Sequence, residues 1–306
     1  MGREVLELAK EYYFRHTTTS AEKDHVLLAD IYGGLGSMDS ETNNFQGTYN
    51  NFQSQWAELE AAFETGQIQR PSIMEVFGLG RVANGLMALN RFEQAEEYYR
   101  RCFHAWEGLP GDRLIWTSNM AKCLCLQHKL EEAETLLLPL LENRSDMSSF
   151  RPGVGLSTLA SIKIAQGDVL LRAGNVDAAE KKFDAAYTSF SQAYANFQKV
   201  LGTHRRTADV CYHLGVLSQR RREYGRAIGF LEQALETFRL HKWFKNDVAR
   251  ATYRLGSVFQ DMGDLAKGRS LIHEAEILRK ELVSPEEWAP ATSEDCYDHL
   301  IMFWSR

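Results

Sequence analysis

The sequence predicts an all-α protein built as a solenoid of stacked helix pairs. Three observations predict it: a small residue recurring in phase along the chain, a second small residue twelve positions after each, and a chain uninterrupted by any linker-like stretch. The first set is Gly36, Ala83, Ala121, Gly167, Gly215 and Gly256. The second is Thr48, Ala95, Ala133, Ala179, Ala227 and Gly268. Four residues further on stand Phe52, Tyr99, Leu137, Phe183, Leu231 and Ile272, and a small residue returns three later at Cys102, Ala186, Ala234 and Ala275. Gln55 and Leu140 depart from this last rule. Small residues on both helices let two backbones approach closely. The large residue after them is expected to fill the space between neighbouring pairs. One pair cannot bury its apolar face alone, so pairs must stack.

The elements follow in chain order. Residues 3–14, with Ala9 four before Tyr13, read as an extra N-terminal helix covering the first pair. About six pairs are expected, at 22–66, 72–107, 112–143, 157–199, 207–241 and 247–283, within a single domain spanning 1–306. Tight turns are legible at 89–92, 173–176 and 262–265. Thr19 with Glu22, Ser72 with Glu75, and Ser284 with Glu287 after Pro285 form capping boxes, in which the hydroxyl and the later carboxylate satisfy helix-start N–H groups. Asp112 and Asn246 stand where N-caps are wanted. The stretch 144–156, with Arg151, Pro152 and Gly153, is expected to be an exposed loop. At the other end, Tyr297, Leu300, Ile301 and Trp304 fall on one side of a helix. That helix is read as a cap over 285–306, or as a handle for self-association.

The pattern from 29 to 283 resembles the tetratricopeptide repeat (TPR), in which Leu-Gly on the first helix is followed by Ala, Phe and Ala on the second. Leu35-Gly36, Leu214-Gly215 and Leu255-Gly256 carry it most directly. The resemblance implies a right-handed superhelix whose concave face is lined by first helices. The spacing of successive units, 38 to 48 residues, exceeds the usual 34 or so. This is similar to the extended repeats of kinesin light chains and of fungal and bacterial signalling arrays. The hallmark tryptophan is replaced by Tyr32, Leu79, Thr117, Lys163, Cys211 and Thr252.

Composition narrows the function. A net charge of −6 opposes general nucleic-acid binding, which needs a basic footprint to release counterions. No apolar run approaches the roughly 20 residues that span a bilayer, and Leu6 stands where a myristoylation motif wants Ser or Thr. No membrane role is expected. Five cysteines without a Cys-x-x-Cys pair suit a reducing, cytoplasmic setting, with no zinc site and no disulfide framework. The Asn143-Arg144-Ser145 sequon then carries no glycan.

No specific catalytic or metal motif is found, so no catalytic residues, metal or cofactor are assigned. Phase on the first helices brings Asn84, Asn119, Lys122, Asp168, Arg172, Tyr212, His213, Arg220, Tyr253 and Arg254 to the concave face. The resemblance gives Asn84 and Asn119 most weight, because TPR domains grip extended peptides with asparagine amides that donate to and accept from peptide backbone. Their alternative use is bonding between helices. Lys122 would attract a carboxylate, but Gly80, Ser161 and Ala165 stand where a carboxylate clamp needs further groups. Arg205, Arg206, Arg220, Arg221, Arg222 and Arg226 form the one basic concentration. It is read as helix-end charge placement, with an acidic-peptide or phosphate patch as the alternative.

The expected function is a scaffold or adaptor holding a peptide or partner segment in the groove. Two rivals stay open. One is a small-molecule-responsive regulator with a pocket lined by Phe77, Met87, Tyr212 and Tyr253. The other is an enzyme of isomerase or cyclase type using Asp168, His213, Tyr253 and Arg254 as acid–base groups.

Overall fold

The computed structural model describes residues 2–16, 23–142, 146–284, 288–291 and 293–306. The expected caps at Thr19 with Glu22 and at 285–287, and the sequon at 143–145, lie outside the described residues. Among those described, every regular element is helical. The chain falls into two compact units, Met1–Gln127 and His128–Arg306.

The first unit contains α1 (Gly2–His16), α2 (His25–Glu41), α3 (Phe45–Glu64), α4 (Ile73–Ala88), α5 (Phe92–Ala105) and α6 (Leu114–Leu126). Helix α1 packs on α2, as residues 3–14 predict, with Leu6 against Gly34. Helix α2 pairs with α3 and α4 with α5. The second unit contains α7 (Leu130–Glu142), α8 (Arg151–Arg172), α9 (Val176–Leu201), α10 (Arg205–Arg220), α11 (Tyr224–Phe238), α12 (Lys245–Asp261), α13 (Leu265–Lys280) and the single turn α14 (Asp295–Asp298). Here α8 pairs with α9, α10 with α11 and α12 with α13. The first helices α10 and α12 also touch each other directly.

The small residues do what their phase requires. A Cβ at Gly36 would lie 2.5 Å from the Phe52 ring, and one at Gly167 would lie 2.5 Å from the Phe183 ring. At Gly215 it would meet Leu231 at 2.8 Å. The large residue therefore packs on the first helix of its own pair, not in the space between pairs. Sixteen residues separate the two, enough to reach the end of one helix, turn, and descend the next to the same height.

The turns share one device. Asn43, Asn90, Gly174, Arg222 and Gly263 all have φ between 56° and 90°. At all five the next residue's N–H reaches back to the preceding helix, as with Asn175 N to Leu170 O at 2.9 Å. This is the left-handed helix stop that glycine and asparagine tolerate best. Asn44, Asn175 and Asp264 then cap the following helix with their side chains.

Four expectations are corrected. Helix α8 begins at Arg151 with Pro152 in its first turn, so the loop expected over 144–156 is shorter. Buried Asn196 on α9 stops it from being free: its Oδ1 accepts from Gly153 N at 3.0 Å, and its Nδ2 donates to Met147 O and Ser149 O. Asn246 does not cap a helix, because α12 starts at Lys245. At the first turn of α4, Ser72 caps Met74 N, but Glu75 pairs with Arg70 at 3.0 Å and leaves the box open. The capping helix expected within 285–306 is instead one turn, Asp295–Asp298, and a 3-10 turn, Phe303–Ser305. Ile301, Met302 and Phe303 are all 0% exposed. The backbone extends at Met302, with φ −58° and ψ 144°, which ends any helical run there.

By length and composition, α8 is the one described helix that could cross a membrane. Its small residues lie against Phe183 and Phe197 of α9, and its mid-helix Lys163 pairs with Glu134 of α7. Both are features of a helix packed within a repeat.

Candidate functional site

In the first unit, Asn84 on α4 and Asn119 on α6 are half-buried and joined. Asn84 Oδ1 accepts from Tyr99 OH at 2.6 Å and from Asn119 Nδ2 at 3.0 Å. The interhelical use of these amides is thus realised. Among the described residues the Asn84 amide NH2 and the Asn119 side-chain carbonyl make no further hydrogen bond, which leaves one donor group and one acceptor held in fixed relation. Lys122 is 5% exposed and does not present its charge to a groove. Helix α6 is buried on all sides from Met120 to Cys125, so helical phase could not assign it an open face.

In the second unit, four predicted residues meet on α10 and α12, and what they meet is the chain itself. Residues 293–306 run across both helices. Arg254 Nε donates to Glu294 Oε1 at 2.8 Å, and the Tyr212 hydroxyl binds the same carboxylate. Tyr253 stacks on Tyr297 with ring centroids 4.7 Å apart. His213 Nε2 lies 3.2 Å from Ser305 O, its ring stacked on Phe190 at 4.9 Å. That bond requires the tautomer with the proton on Nε2.

Three further residues complete the contact. Asn246 Nδ2 donates to Leu300 O at 2.7 Å. Arg250 Nη1 donates to Ser305 O at 2.6 Å and to Asp298 Oδ1 at 3.2 Å. Ser305 Oγ donates to Asp209 Oδ2 at 2.7 Å. The sequence held a signal for them. Asp209 precedes His213 by one helical turn, and Asn246 and Arg250 precede Arg254 by two and one, so each shares a face with a predicted residue.

Electrostatics reflect burial. The Arg254 guanidinium is lowered to about 10 by desolvation, against the pull of Asp298. Asp247 is raised by burial, with Arg205 opposing at 3.2 Å. Arg250 is 1% exposed and its guanidinium lies 4.1 Å from the Tyr212 ring centroid.

The other predicted residues gather between α8 and α10. Arg220 pairs with Asp168 at 3.0 Å and covers the Phe183 ring at 3.6 Å, while Arg172 Nε donates to Asp168 O. Arg221 pairs with Asp184 and Arg226 with Glu223. Most of the basic concentration is therefore engaged locally. Beside it, Val216, Gln219, Arg220, Arg222, Tyr224, Arg254 and Asp261 line an open cleft of about 680 Å³.

Residues 157–239, which contain α9, α10, α11 and most of α8, match the tetratricopeptide repeat family model. Over those residues the chain carries tetratricopeptide repeats. Among curated proteins, no sequence matches it. Solved structures of TPR-like proteins match the chain in fold. A Rap protein complexed with Competence and Sporulation Factor aligns with TM-score 0.62 at 13% identity, over 91% of this chain and 80% of that one. BtubC (BKLC) from P. vanneervenii aligns with TM-score 0.55 at 19% identity, over 82% and 95%. A putative kinesin light chain of Podosopora anserina with nearly identical TPR-like repeats gives 0.52 at 14%, over 70% and 98%. At these identities the chain shares the fold of its neighbours, and its site must be argued from its own residues.

Proposed function

We propose that this TPR protein is a scaffold that binds an extended segment of a partner protein along the first helices of its repeats. One observation carries the reading: the α10 and α12 face already holds an irregular chain segment, and it does so partly through main-chain carbonyls at Leu300 and Ser305. Side chains aimed at backbone recognise a peptide as a peptide. In the first unit, the fixed Asn84 and Asn119 amides supply the same kind of group. The Rap neighbour is complexed with a factor, which supports ligand binding by this fold at the level of fold alone. The cleft beside Arg254 is open and its lining is mostly polar, as a peptide groove requires and a closed small-molecule pocket does not.

The test is selection of a displayed random-peptide library on the full chain, with the winners rebound to Asn84→Ala/Asn119→Ala and to Arg254→Glu. The scaffold reading expects peptides that bind the wild type and lose affinity for at least one variant. No selected peptide, or equal binding to all three chains, would sink it.

A further inference from the structure

The segment that lies on α10 and α12 has a definite chemistry. It carries Glu294, Asp295 and Asp298 first, then Leu300, Ile301, Met302, Phe303 and Trp304. Its acidic part meets Arg254 and Arg250, and Ile301, Met302 and Phe303 are fully buried. We propose that the α10–α12 face is a binding site for an acidic-then-apolar peptide of a partner protein, and that residues 293–306 are its ligand in cis, which the partner must replace. This rests on the scaffold reading above and names the partner chemistry and the regulation of that site.

Three observations favour a replaceable ligand over a fixed part of the core. The contacts to Leu300 O and Ser305 O read backbone, so a foreign segment can reproduce them. The seat is also incompletely matched at its centre. Buried Arg250 reaches Asp298 through one nitrogen, while its Nε and Nη2 have no hydrogen-bond partner and Nη2 stays 3.9 Å from Asp209 Oδ1. A carboxylate placed to accept two parallel N–H groups binds guanidinium better than this single contact. Finally, Arg254 belongs to two places at once: it holds Glu294 and it lines the open cleft. Its lining carries Arg220, Arg222 and Arg254 with Asp261, which Gln219 engages at 2.8 Å, while Asp168 and Glu294 pair with Arg220 and Arg254. An acidic segment entering the cleft reaches Arg254 from the open side and can take the place of Glu294 on it.

A tethered ligand acts at an effective concentration in the millimolar range. A free peptide of the same sequence should therefore compete poorly until the tethered copy is weakened. The test uses the full chain and a fluorescein-labelled synthetic peptide with the sequence of 293–306, read by fluorescence anisotropy. Glu294→Ala/Asp298→Ala removes the anchors of the tethered copy while leaving the face intact. That variant should bind the peptide at least ~10-fold more tightly than the wild type, by relief of the tethered competitor. Adding Arg254→Glu to it should abolish the gain.

The labelling rate of half-buried Cys296 reports whether the segment has left its seat, and Glu294→Gln serves as a milder variant if the double substitution perturbs folding. Faster Cys296 labelling with unchanged peptide affinity would overturn the proposal, because the face would be open yet take no peptide. Library peptides that bind the full chain but are indifferent to both variants would overturn this inference while leaving the scaffold reading standing. Failure of the library to yield any peptide would remove both.

Discussion

Alanine at Gly256 should destabilise the protein, while alanine at Gly229 should stabilise it, although both glycines lie inside helices. Helix propensity favours both changes by about 0.5–1 kcal/mol. At Gly229 on α11 nothing lies within 4 Å of the new Cβ, so that gain stands alone. At Gly256 on α12 the Cβ would fall 2.8 Å from Ile272 Cγ1, 2.9 Å from Gly268 O and 3.1 Å from Ile272 N. Two of these three atoms are backbone of α13 and cannot turn aside. Overpacking costs about 1–3 kcal/mol, which leaves Gly256→Ala less stable than wild type by up to about 2.5 kcal/mol. At about 2 °C per kcal/mol for a chain of this size, Tm should fall by up to about 5 °C in one variant and rise by about 1–2 °C in the other. Circular dichroism at 222 nm during heating, with urea titration alongside, measures both. If Gly256→Ala melts at or above Gly229→Ala, close approach of α12 and α13 does not depend on the recurring small residue.

Arg222 holds φ at 59° in the turn between α10 and α11. Replacing it with glycine removes about 1–2 kcal/mol of left-handed strain against about 0.5–1 kcal/mol of added chain entropy, so a modest rise in the urea midpoint is expected. Asn196→Ala deletes a buried hydrogen bond to Gly153 and two half-buried ones to Met147 and Ser149; a loss of about 1–3 kcal/mol should come with faster hydrogen exchange at the start of α8, and unaltered exchange there would refute the capping role. Thiol labelling at pH 8 should modify Cys296 first: Cys102 and Cys211 are buried, and burial pushes both thiols up to about 12, so they stay protonated until the protein unfolds.

What the sequence revealed and what it concealed divide along physical lines. The contact of Gly36 with Phe52, or of Gly167 with Phe183, is fixed by helix geometry and a short turn, so a constant spacing announces it. The same holds for the turns, where Gly174, Gly263 and Asn90 mark a left-handed stop that most side chains resist. Asn196 gave no local sign of its role, because its partners lie 43 to 49 residues earlier and meet it only once α8 and α9 pair. Phase points Lys122 to an open face, but phase orders the sides of a helix without saying how many are covered, and Lys122 is buried. The run from Tyr297 to Trp304 fits a helical stripe on paper. The extended backbone at Met302 breaks that stripe, and Met302, which the stripe leaves out, is buried with Ile301 and Phe303. Helical phase turns Tyr212, His213, Tyr253 and Arg254 toward a ligand. They face one that is part of the chain, and Arg250 and Asn246 beside them were legible only by helical spacing.

The most direct test of the scaffold account is to map where a bound peptide lies. A photoreactive residue is placed in the middle of a library-selected peptide, cross-linked to the full chain, and located by peptide mass mapping. Cross-links confined to first helices, α4 and α6 or α10 and α12, are the predicted result. Cross-links concentrated on α3, α5, α11 or α13 would contradict it and move binding to the second-helix side of the repeats.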